Sequence, residues 1–388
     1  MNGPDQRAEG DGPRRVERSD RAHRRVHPAD SGPNRIHALD ALRGLAALTV
    51  VFHHLALVPP EPPSLGLTTW VITGYAAVLL FFLLSGFVLY LSLEQRPQPY
   101  PEFVVKRIAR IYLPYAAVLL LSYALLELNA GATTPGLSAW AGYPWRLPEA
   151  RAALWPHLAL LGTFDFGLIN PVVWSLVVEM RVSLIFPMIA LLVRRAPWFV
   201  SLGVGLLCSS VKELKVAALA GTLWLRTSHY VLLFVVGALL AKHRAVIRSW
   251  VGHHPRLSAC LGLLGIGAYY LHDFWRTPSE RMRDYLIAIG ATIFIVLTLG
   301  NARIERLLSH PWLRFLGEVS YSLYLVHAVV LLSLLHFLGE KLPLWVLLTA
   351  MPFLSLAAAA LLYRFVERPS MRLGRLAAEW LRRRSWAR

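Results

Sequence analysis

Between Ala41 and about Tyr363 the chain is a succession of apolar runs parted by short polar gaps. The runs cover about 40–58, 70–94, 111–128, 172–193, 197–211, 228–241, 257–272, 284–300, 316–338 and 344–363. A helix needs roughly 20 residues to cross the hydrocarbon core of a bilayer. In lipid, backbone polar groups must be satisfied within the segment itself, so uninterrupted runs of this length read as helices. The pattern predicts an all-α, polytopic transmembrane bundle of about ten spans. The fifth and sixth runs are short, and they are expected to extend toward each other through 212–227 or to line a protein-enclosed cavity.

The flanks differ in kind. Residues 1–36 hold eight arginines and six acidic residues with hardly any large apolar side chain, a composition that cannot bury a core. This segment is expected to be a disordered cytoplasmic tail, with 37–366 the membrane domain and 367–388 a basic cytoplasmic tail. The first apolar run carries no small-residue cleavage pattern, so it is expected to insert as an uncleaved first span. In the long gap 129–171, Trp140, Trp145, Trp155 and the patch Leu158–Leu161 predict a segment that lies on or dips into the outer leaflet.

Charge gives the bundle an orientation. Only 16% of the residues are charged, against roughly 25% in soluble domains. The net charge of +17 would suit nucleic acid, but the basic residues lie in short clusters beside apolar runs, which points to juxtamembrane anchoring instead. Alternate gaps hold 29 and 9 Lys and Arg residues, with Arg43 and Arg181 inside spans. The positive-inside rule then places both termini in the cytoplasm and the chain in the cell membrane as a multi-pass protein. Cys208 and Cys260 offer neither a disulfide framework nor metal-ligand spacing and read as packing residues. No metal is expected.

Ionisable residues inside spans are costly and usually face a cavity or a partner. In LDALRGLAALTVVFHHLAL, Arg43 and His54 are eleven residues apart. They therefore lie about 20° apart around the helix and about 16.5 Å apart along it. One groove thus carries Arg43 near the cytoplasmic entrance and His54 deeper. The plainer reading is that Arg43 snorkels to the headgroups and His54 bonds to a neighbouring helix. In WSLVVEMRVSLIFP, Glu179 and Arg181 project from different sides. Glu179 is expected to meet another helix, with a cavity-facing His an obvious partner; the competing reading is a structural ion pair. In KRIARIYLPY, Lys106, Arg107 and Arg110 precede a span, and Arg107 and Arg110 share a face. They anchor the span or form a phosphate-binding rim. Ser85 and Gly86 read as small residues that permit close helix packing. Glu318 and His327 lie about 180° apart on one segment and cannot form one site unaided.

Together these segments resemble the acyltransferase-3 family of integral-membrane O-acyltransferases, from about Arg35 to Pro369. The resemblance rests on LDALRGLAALTVVFHH with Arg43 and His54, FFLLSGF, KRIARIYLPY, WSLVVEMRVSLIFP with Trp174, Ser175 and Glu179, SYSLYLVH and FVERP, in that order. The aromatic usual after the glutamate is replaced here by Arg181-Val182-Ser183. The soluble hydrolase-like domain that some relatives carry after the last span is not expected, since 25 residues follow Tyr363.

The resemblance implies transfer of an acyl group, acetyl or short branched, from acyl-CoA to a hydroxyl of a carbohydrate or a sugar-bearing natural product such as a macrolide. His54 is then the general base, and Glu179 the residue that orients its imidazole. Arg43, Lys106, Arg107 and Arg110, with Trp174 and Ser175, are the substrate-binding candidates. No permanently bound cofactor is implied, acyl-CoA being a co-substrate. A transporter or flippase of a polar or glycosylated substrate would also place Arg, His and Glu in spans. It would favour broken helices in symmetric halves, and no such repeat is evident.

Overall fold

The computed structural model describes residues 36–60, 73–129, 136–160, 165–211, 223–271 and 279–386. Those from His37 onward form one compact unit, and no strand occurs among the described residues. The tail expected to be disordered lies almost wholly outside them.

Among the described residues fourteen α-helices follow in order: α1 (His37–Ala56), α2 (Gly74–Gln95), α3 (Tyr100–Leu128), α4 (Glu149–Ala159), α5 (Trp174–Arg195), α6 (Trp198–Ser210) and α7 (Leu223–Lys242). Then come α8 (Arg244–His253), α9 (Pro255–Tyr270), α10 (Glu280–Gly300), α11 (Ala302–Leu308), α12 (Pro311–Leu338), α13 (Leu344–Leu362) and α14 (Arg368–Trp386). Each of the ten apolar runs is helical, and eight helices among the described residues are long and apolar enough to cross a membrane. The sixth run gains length by starting at Leu223. By contrast, α6 has 13 residues and α9 has 16. At 1.5 Å per residue α6 spans only about 20 Å, short of a roughly 30 Å hydrocarbon core. The third span starts earlier than its apolar run, at Tyr100, because Pro101 suits a first helical turn and Glu102 favours the positive end of the helix. The basic run 106–115 is therefore helical throughout. The basic C-terminal segment is helical too, reached from α13 through a π-turn at Tyr363–Glu367, and it packs on α3.

Two close helix pairs set the frame. Helices α2 and α7 touch where Gly86 meets Phe234 and Gly237 meets the Leu83 carbonyl, leaving no room for a Cβ on either glycine. Helices α1 and α12 touch where a Cβ on Gly44 would lie 2.7 Å from the Gly317 nitrogen and one on Gly317 would lie 2.5 Å from the Asp40 carbonyl oxygen. This second contact fixes the register of the two helices on which the site is built.

Candidate active site

Helices α1 and α12 run parallel from the Gly44–Gly317 contact. Ten residues on, each helix carries a histidine, His54 and His327. Equal rises of about 15 Å bring both to one level, where His54 Nδ1 and His327 Nε2 are 2.8 Å apart. The proton positions follow from the surroundings. His327 Nδ1 lies 3.0 Å from the Leu323 carbonyl oxygen, and a carbonyl only accepts. For neutral rings, His327 therefore donates from Nδ1 and accepts at Nε2, so His54 donates from Nδ1. The lone pair of His54 is left on Nε2, and among the described residues this imidazole makes no other hydrogen bond.

The segment between α3 and α4 closes over this pair. Ser138 is tied to the end of α1, its Oγ donating to the Leu57 carbonyl and its backbone N–H to that of Val58. Trp145 is fully buried, with Nε1 donating to Ser122 Oγ and to the Ile169 carbonyl. Between these anchors Trp140 lies against His54, with ring centroids 4.8 Å apart and planes 8° apart. Trp140 thus packs on the imidazole, whereas Trp155 is exposed. Below this segment, Tyr112 and Tyr115 donate to the carbonyls of Leu158 and His157. Burial holds the His157 pKa below its ordinary value, so that ring stays neutral at pH 7.

The start of α5 reaches the dyad from the other side. Tyr324 donates to the Val172 carbonyl at 3.0 Å, so the 2.7 Å contact between Ser175 Oγ and Tyr324 Oη has the serine as donor. The Tyr324 ring in turn lies 5.9 Å from that of His327. Ser175 is therefore three contacts from His54, by way of Tyr324 and His327. Trp174 faces away from it, among Tyr75, Phe82 and Tyr230.

Glu179, expected beside His54, stands elsewhere. It is one turn beyond Ser175, about 6 Å further along α5, and its Oε1 accepts from Ser85 Oγ at 3.1 Å. The partner of His54 is His327, and a sequence reading of α12 alone sets that residue aside. Gly86 thus permits the close α2–α7 contact, and the buried Ser85 beside it holds a carboxylate. Arg181 projects away from Glu179 as its spacing requires, and it donates to Thr227 on α7.

Glu179 belongs to a second group of charges. Arg43 and Arg107 lie within electrostatic range of it and of Arg110, and Glu367 within range of Arg43 and Arg110. Glu367 itself accepts from Ser322 Oγ at 2.6 Å. Asp40 is also within range of Arg43, so three guanidiniums face three carboxylates. Among the described residues neither Arg43 nor Arg107 makes a side-chain hydrogen bond to protein, and Arg43 Nε is buried without a partner. Lys106 does not join this group. Its Nζ is drawn back along α3, donating to Gln98 at 2.6 Å and standing 3.9 Å from Glu102. The structure therefore brings together Arg43, Arg107, Arg110 and Glu179 at one end of the α1 stripe, and His54 with Ser175 at the other.

The family model for an acyltransferase domain, that of the acyltransferase-3 family, matches residues 36–364. The acyltransferase MdmB of Streptomyces mycarofaciens is 27% identical over 372 residues, covering 87% of this chain and 92% of that protein. The O-acetyltransferase PaAT-1 of Phomopsis amygdali is 24% identical over 447 residues, covering 89% of this chain and 85% of its own. No solved structure matches the chain significantly.

Proposed function

Because the chain belongs to the acyltransferase-3 family, we propose that this multi-pass membrane acyltransferase moves an acetyl or short branched acyl group from acyl-CoA to a hydroxyl of a carbohydrate or a sugar-bearing natural product. The observation that carries the reading is the proton arrangement of the dyad. His327 fixes the His54 tautomer and leaves one basic lone pair at the end of a helix stripe that begins among arginines. A second support is the name O-acetyltransferase borne by a relative aligned over most of both chains.

In this reading the donor phosphates lie among Arg43, Arg107 and Arg110, whose guanidiniums suit bidentate phosphate contacts. The charge asymmetry of the gaps puts that end at the cytoplasm. The pantetheine arm follows α1, and the rise of about 16.5 Å to His54 suits its length. His54 Nε2 takes the proton of the acceptor hydroxyl while that oxygen bonds to the thioester carbonyl carbon. The positive charge on His54 is shared with His327 through the Nδ1–H···Nε2 bond. When the tetrahedral intermediate collapses, the C–S bond breaks, the ester remains on the acceptor, and the CoA thiolate takes the proton back from His54. Glu179 offsets part of the arginine charge and acts on the donor end.

Purified full-length chain incubated with radiolabelled acetyl-CoA and hydroxyl acceptors is expected to yield labelled ester. Donor binding with no ester from any acceptor, together with movement of a glycosylated substrate across vesicles, would establish a transporter instead.

A further inference from the structure

A base that takes a proton becomes a cation, and a cation inside a helix bundle is costly unless a neighbour offsets it. In a serine-type triad that neighbour is a carboxylate. Here no carboxylate fills the place. Among the described residues the titratable side chains within electrostatic range of the His54 ring are His53 and His327, and no acid is among them. Glu179 stands instead with Ser85 and the arginines. His327 accepts the Nδ1 proton of His54, but it is a neutral ring, fully buried, whose own Nδ1 is committed to the Leu323 carbonyl. It spreads the charge without cancelling it.

The face of His54 is occupied differently from its edge. The rings of His54 and His327 have centroids 5.1 Å apart and planes 10° apart. With a 2.8 Å contact between nitrogens, that separation puts His327 edge to edge with His54, in one plane. Trp140 takes the face, with centroids 4.8 Å apart and planes 8° apart. Its backbone is tied to the helix that carries His54. Two residues before it, Ser138 Oγ donates to the Leu57 carbonyl and accepts from the Ala141 N–H at 3.1 Å. Five residues after it, the Trp145 N–H donates to the Leu168 carbonyl at 2.8 Å.

An indole face attracts a cation within about 6 Å of the ring centroid, and more strongly where water is excluded. A neutral imidazole gains only ordinary aromatic stacking from the same contact. The interaction therefore strengthens as the proton arrives, which is what lets a contact speed a step rather than only tighten binding. We propose that Trp140 is a positioning residue for acyl transfer, its indole face stabilising the imidazolium form of His54 in place of a carboxylate. The assignment rests on the reading of His54 as the general base and adds the group that offsets its charge. The proton still passes from the acceptor hydroxyl to His54 Nε2 and on to the CoA thiolate, and the indole is unchanged throughout.

The test uses the full chain in lipid nanodiscs with radiolabelled acetyl-CoA. A panel of methyl hexosides serves as acceptors, with water as a further acceptor read by release of the CoA thiol. Tryptophan analogues with one to four fluorines on the benzo ring are placed at position 140 by stop-codon suppression. Fluorine withdraws electron density from the indole face at nearly constant ring size, so packing is kept while the attraction for a cation fades. The kcat is expected to fall stepwise with each fluorine, by about tenfold or more with all four. KM, the donor Kd and the melting temperature are expected to stay in place. Trp140→Leu is expected to lower kcat at least as far as the most fluorinated analogue. The same analogues at the exposed Trp155 are expected to leave kcat unchanged. Equal kcat across the series at position 140, or a fall that tracks the melting temperature, overturns the assignment and makes Trp140 a packing residue. A parent chain that turns over no acceptor, or a His54→Ala chain as active as the parent, overturns the base reading beneath it.

Discussion

The two ends of the α1 stripe are built on opposite principles. Around His54 the polar partners are supplied by protein. Leu323, His327, Ser175 and Tyr324 form closed hydrogen bonds, and a single lone pair is left for chemistry. Around Arg43 the protein balances charge, with Glu179, Glu367 and Asp40 near Arg43, Arg107 and Arg110, but leaves two of the three arginines without a side-chain hydrogen bond to protein. Closed hydrogen bonds hold a base in one tautomer, as proton transfer requires. Guanidinium groups left without hydrogen bonds in a bundle interior favour an anionic ligand that can accept from them, the part given to the donor phosphates in the function proposed above. Preorganisation and deliberate incompleteness thus occupy one helix about 16.5 Å apart.

The sharpest way to break the comparison is to remove the lone pair. His54→Ala is expected to lower kcat by about 10²- to 10⁴-fold, the range for a lost general base, with the donor Kd and melting temperature little changed. An active, purified His54→Ala chain would end the catalytic assignment. At the other end, Arg107→Gln with Arg110→Gln is expected to raise the donor Kd by roughly tenfold or more and to flatten its salt dependence, since charge-assisted phosphate contacts are lost. An unchanged Kd by titration calorimetry would remove the phosphate rim.

Smaller effects sharpen the division. His327→Ala is expected to lower kcat about tenfold to a hundredfold without altering donor binding, and His327→Gln to recover part of it because an amide oxygen can accept from His54 Nδ1. Equal loss in both variants would make His327 a packing residue only. Glu179→Gln is expected to change the donor Kd a few-fold and to leave the pH–rate profile in place, because its carboxylate sits with the arginines. A shifted profile with unchanged Kd would restore Glu179 to the base.

The residues differ in how visible they are along the chain. The Arg43–His54 stripe is legible because both lie on one helix, where spacing alone sets direction. His327 is not, since its pairing with His54 depends on two glycines, Gly44 and Gly317, that lock parallel helices 273 positions apart. Trp140 is equally hidden. Tryptophan in a polar gap reads as an interface residue, and only the Ser138 and Trp145 anchors turn this one onto the imidazole. Lys106 shows the converse, for it shares a basic run with Arg107 and Arg110 yet Gln98 and Glu102 draw it away.

What the sequence determined by itself is whatever depends on period and composition. It sets helical class, the apolar runs, and which side chains in one span share a face, because hydrophobic length and the 100° helical step act locally. What only the tertiary structure decided is partnership between spans. The His54–His327 bond and the retreat of Glu179 to Ser85 and the arginines both follow from register between helices. Close contacts at glycines such as Gly44 and Gly317, ten residues from the paired histidines, set that register, and no single run of sequence records it.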